Sequence, residues 1–127
     1  GKVRENNARM EQWKQDFAFL ADKIAADVRN THSALNAARE QVEMASENVS
    51  LATTLEEAER DRFRLGNSNL LSLQLREKAA FQARLQRNQV LRDYYVALGQ
   101  FLAAAAVDFR AEAVAGHDWN KLLTGGS

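Results

Sequence analysis

The chain has 127 residues, 46% hydrophobic and 27% charged, with 17 basic against 17 acidic side chains. One domain is the natural expectation at this length. The zero net charge argues against non-specific nucleic-acid binding, which needs surplus Lys and Arg. With no Cys, disulfides, thiolate metal sites and Cys nucleophiles are excluded. No apolar run reaches the roughly 20 residues of a membrane-spanning helix. Residues 1–20 are polar and charged rather than signal-like, as in a mature chain or a fragment.

From Lys2 to Leu65 there is neither Gly nor Pro, and the stretch is rich in Ala, Glu, Arg, Gln and Leu. Those are the good helix formers. Apolar residues fall at Met10, Trp13, Phe17, Leu20 and Ile24, in alternating steps of three and four. The series continues at Val28, Thr31, Leu35, Ala38, Val42, Ala45, Val49, Ala52 and Leu55, and ends near Phe63. This spacing predicts a coiled-coil helix over about residues 2–65. Two successive steps of four around Ile24 read as a stutter. A helix of about 60 residues would be about 90 Å long, so an extended structure is expected.

At Leu65-Gly66-Asn67-Ser68-Asn69 the pattern breaks. Gly66 suits the left-handed position after a helix, and Ser68 or Asn69 suits the N-cap of the next one. Positions 66–69 therefore form a loop. A second helix over about 70–109 follows. One stripe runs through Leu70 or Leu71, Phe81, Leu85, Leu91, Tyr95, Leu98, Leu102, Ala105 and Phe109. Beside it lies another, Val90, Tyr94, Ala97 and Phe101. The widened face predicts burial by more than one neighbour. Gly99, inside this pattern, reads as a point of close backbone approach. Residues 110–127 form a tail, read as carrying a short helix around Asp118–Leu123.

Two helices joined by a short loop fold back antiparallel. With the pivot at Asn67, facing residues have numbers adding to about 134. Phe63 then meets Leu71, Ala52 meets Phe81, Val49 meets Leu85, Val42 meets Leu91, Leu35 meets Leu98, Val28 meets Ala105 and Ile24 meets Phe109. The expected fold is thus all-α, a long antiparallel two-helix coiled-coil hairpin. Trp13, Phe17 and Leu20 lie beyond the end of the second helix. They imply a missing partner or a tail that folds back, and an isolated hairpin of this kind should self-associate.

Chemistry is sparse. His32 lies on or beside the seam with Val28, Arg29 and Asn36 one turn away, which offers it no ligand or base partner. His117 stands beside Asp118 in the tail without further ligands. Glu56, Glu57, Glu59 and Asp61 alternate with Arg60, Arg62 and Arg64, as on a solvated, salt-bridged face, with a polar docking edge as the functional alternative. No Glu-x-x-His pair, Ser–His–Asp set or Gly-rich phosphate loop occurs. No enzymatic activity, metal or cofactor is expected. The polar faces are also too charge-balanced for membrane-surface binding.

The run Arg62-Phe63-Arg64-Leu65-Gly66-Asn67-Ser68-Asn69-Leu70-Leu71 resembles the second-repeat hairpin tip of the TolC-like outer-membrane efflux proteins. In that pattern a basic residue and an aromatic precede two variable residues and Gly. A Ser or Thr follows two residues on, and then an apolar pair. Downstream, Ala83, Asp93-Tyr94-Tyr95, Ala97 and Leu98 are similar to the returning helix. Upstream, Gly1-Lys2-Val3-Arg4 and the stretch from Ile24 to Leu35 are similar to the start and middle of the long helix. The resemblance covers residues 1–109.

The resemblance implies a piece of a homotrimeric duct. Its long helices form a periplasmic tunnel below an outer-membrane barrel, and its hairpin tips meet a periplasmic adaptor (membrane fusion) protein. An inner-membrane pump supplies the energy. The chain would be one soluble tunnel hairpin, residues 1–109, without the barrel or the first repeat. Arg62, Phe63, Gly66, Asn67 and Ser68 become the adaptor-docking candidates. Where some members carry an acidic constriction ring after the tip, this chain has Ser72 and Leu75. The competing reading is a coiled-coil scaffold or interaction module unrelated to transport.

Overall fold

The computed structural model describes residues 1–116. Two helices account for most of them: α1, Lys2–Arg64, of 63 residues, and α2, Leu70–Ala115, of 46 residues. They pack against each other as an antiparallel all-α hairpin, with no strand among the described residues. Helix α2 continues beyond the expected end near 109, because nothing between Phe109 and Ala115 breaks a helix. Its Ala-rich last turns favour one. The expected helix at Asp118–Leu123 and His117 lie outside the described residues.

The chain divides into two compact units, each drawing on both helices. One comprises Ser33–Gly99, and the other comprises Gly1–His32 with the chain from Gln100 onward. Within the first, the α1 side follows the expected seam. Val42, Ala45, Val49 and Ala52 are buried or half-buried. Ala45 and the buried Val90 lie together beside Gln41, Met44, Asn48 and Gln86. Within the second, His32 meets Phe101 with ring centroids 5.5 Å apart. Both pairs agree with residue numbers adding to about 134.

On the α2 side the expected second stripe holds, with Val90 and Ala97 buried and Tyr94 and Phe101 half-buried. Leu91, Leu98 and Ala105 of the first stripe are half-buried as well, whereas the rest of that first stripe is exposed. The buried residues of α2 are Leu73, Ala80, Val90 and Ala97. Half-buried Ala83, Arg87 and Tyr94 lie on the same stripe, at steps of three and four. Leu71, Phe81, Leu85, Tyr95, Leu102 and Phe109 are exposed, so the pairings Phe63–Leu71, Ala52–Phe81, Val49–Leu85 and Ile24–Phe109 do not form the seam. The reason is steric. Small Ala residues let two helix backbones come close and bury completely, and Ala80 is 0% exposed. The bulky side chains at neighbouring positions are left on the outside.

Gly99 is likewise not a point of close approach. A Cβ there would meet no atom within 4 Å. In the unit holding the α1 N-terminus, every residue from Gly1 to Lys23 is exposed, and the first half-buried position is Ile24. The accessible surface of the chain is 10100 Å². A compact monomer of 14.2 kDa would expose about 6,800 Å².

Candidate functional site

The loop end of the hairpin carries the candidate site. Helix α1 stops there through a Schellman motif. The Gly66 N–H donates to the Phe63 carbonyl at 3.1 Å, and the Asn67 N–H donates to the Arg62 carbonyl at 2.8 Å. These bonds satisfy carbonyls that the end of a helix leaves open. Gly66 takes φ +80°, with no other positive φ among the described residues. A side chain at that position would be strained. Arg62 and Arg64 in the last turn suit the negative end of the helix dipole. Helix α2 restarts at once. Asn69 is its N-cap, with Oδ1 accepting from the Ser72 N–H at 2.8 Å.

This turn gathers most of the residues that the sequence singled out. Arg62, Asn67, Ser68, Ser72 and Leu75 line one open cleft of about 500 Å³, together with Glu59, Asn69 and Arg76. Gly66 shapes the turn without lining the cleft. Phe63 lies outside it and is 39% exposed. The cleft is rimmed by two guanidiniums, two amides and two hydroxyls, so it can offer hydrogen bonds to a partner surface. Among the described residues, no group of three or more His, Cys, Asp or Glu is placed to hold a metal ion. No helix there is long and apolar enough to cross a membrane.

Sequence reasoning missed the two buried carboxylates at this end of the hairpin. Glu56 and Glu59 are buried, whereas Glu57 and Asp61 are exposed as expected. Steps of four and three from Ala52 land on Glu56 and Glu59, so both occupy seam positions where Leu55 and Phe63 were expected. The signal was present in the spacing, but their charge hid it. Glu56 Oε1 accepts from Arg60 at 2.7 Å, and Arg84 of α2 lies 3.7 Å from Oε2. Arg60 also reaches Glu77 of α2 at 3.5 Å. Glu59 accepts a hydrogen bond from the Ser68 hydroxyl and pairs with Arg62 at 3.5 Å.

The hydrogen bond to Glu56 raises the Arg60 pKa above the ordinary guanidinium value. Lost hydration opposes the rise, while the charge of Glu56 and the contact with Glu77 add to it. Glu56 Oε2 and Arg87 Nε are buried without a hydrogen-bond partner. The seam near the loop is therefore ionic and incompletely satisfied at Glu56, and the mostly apolar stem seam carries one further unsatisfied charge at Arg87.

Comparison with family models, with curated proteins and with solved structures finds no match to this chain.

Proposed function

We propose that the chain is a helical hairpin of the periplasmic tunnel of a TolC-like trimeric outer-membrane efflux or secretion duct. It is a passive conduit whose tip docks a periplasmic adaptor coupled to an inner-membrane pump. The observation that carries the reading is the tip. The order Arg62-Phe63-x-x-Gly66-x-Ser68 coincides with a turn in which Gly66 is left-handed and Arg62, Asn67 and Ser68 face one polar cleft. A resemblance in sequence thus falls on residues with a physical task. Ser72 and Leu75 stand on the same cleft, and neither can contribute to an acidic ring. The excess of exposed surface agrees with a chain that packs against others in use.

The test replaces Ser68 by Trp in the full-length parent. Efflux falls while the trimer still assembles if the tip docks an adaptor. Unchanged efflux with full assembly removes that role and favours the scaffold reading.

A further inference from the structure

An apolar groove opens between the two helices in the unit that holds the α1 N-terminus. Phe17, Leu20, Ala21, Ile24 and Ala25 share one face of α1 and form one wall. Asp108, Ala111 and Glu112 of α2 form the other, around a hollow of about 260 Å³. The only polar side chains on these walls are the two carboxylates, and no basic residue lines them. Ile24, Ala25, Asp108 and Ala111 are half-buried, whereas Phe17, Leu20, Ala21 and Glu112 are exposed at the rim.

The two carboxylates are badly placed for the helix that carries them. Asp108 and Glu112 stand four residues apart, where like charges repel. Both lie toward the C-terminal, negative end of the α2 dipole, and its last turn holds no basic residue. Neither forms an ion pair among the described residues. Mutual repulsion, helix dipole and want of a counter-charge act in one direction, and apolar walls focus the resulting negative potential. Phe17 adds an aromatic face, steadied by its stacking on Trp13 with ring centroids 5.9 Å apart at 22°. Such a face also attracts cations.

We propose that this groove binds a small amphipathic organic cation, an ammonium group on a compact aliphatic or aromatic body. The walls take the body out of water, while Asp108 and Glu112 take the charge. A bare metal ion fits poorly, because two carboxylates among apolar side chains leave most of its oxygen shell unfilled. An anion is repelled, and a neutral apolar molecule gains nothing from the carboxylates. The inference concerns the end of the hairpin far from the loop and does not rest on the duct reading of the tip.

The experiment titrates the isotope-labelled full chain with benzyltrimethylammonium at constant ionic strength and follows backbone amides by NMR. Shifts at Phe17, Leu20, Ala21, Ala25 and Ala111 saturate with a dissociation constant of about 1 mM, as suits a ligand of this size in an open groove. Benzyl alcohol, which has a similar ring and no charge, binds about tenfold more weakly. Asp108→Asn with Glu112→Gln removes the charge and the repulsion, keeps helicity by circular dichroism, and weakens benzyltrimethylammonium about tenfold. Glu47→Gln, at an exposed carboxylate outside the groove, leaves binding unchanged. No saturable shift at these amides, the result expected if the chain's own tail with Lys121 already fills the groove, would overturn the proposal. Equal binding of benzyl alcohol, indifference to the double substitution, or displacement by Mg²⁺ at matched ionic strength would do the same.

Discussion

Two glycines of one chain have opposite physical standing. Gly66 is left-handed and ends α1, whereas Gly99 is an ordinary helical residue with open space at its missing Cβ. Gly66→Ala should therefore lower stability by about 1 kcal/mol, and Gly99→Ala should raise it by up to about 1 kcal/mol. Urea unfolding of the two variants checks both signs. A gain at position 66 or a loss at position 99 would contradict the geometry. The turn residues were legible in sequence because Gly after a helix and Asn before one each answer a specific backbone need. Gly99 was misread because a Gly in a helical pattern signals a reason without saying which.

At the level of elements, α1 was legible and α2 only partly. The α1 seam from Val28 to Ala52 uses mid-sized apolar residues in heptad spacing, so hydrophobicity and contact agree. On α2 the contact stripe places Ala80, Ala83 and Ala97 among Leu73, Val90 and Tyr94, and Ala ranks below Phe81, Leu85 and Phe109 by hydrophobicity yet packs closer. Substitution should separate the two stripes. Ala97→Leu overpacks the seam and costs about 1–3 kcal/mol, while Phe81→Ala on the outward face stays within about 0.5 kcal/mol. Thermal melts of both give the comparison. Register has its own check with a short thiol crosslinker. Ala45→Cys with Val90→Cys should link within one chain, and Val49→Cys with Leu85→Cys should not. The buried Glu56 and Glu59 escaped notice because charged residues on a helix are ordinarily solvated. Only their place in the count from Ala52 marks them as facing α2.

For the whole molecule, protection of the backbone should be uneven. A helical segment of about 20 residues with little tertiary cover is marginal in water, and Gly1–Lys23 is exposed throughout. In dilute solution its amides should exchange with deuterium far faster than those around Ala45, Ala80, Val90 and Ala97. Equal protection along α1 at low concentration would refute this. The site itself was legible as a motif, but the cleft formed by Arg62, Asn67, Ser68, Ser72 and Leu75 depends on α2 folding back, which no local pattern contains. The large accessible surface has a calorimetric counterpart. A chain that hides little from water has little new hydration to acquire when it melts. Its heat-capacity increment should fall below the usual 12–15 cal/mol/K per residue, or about 1.5–1.9 kcal/mol/K for the chain. Its free energy of unfolding should then change almost linearly with temperature, with cold denaturation pushed far below freezing.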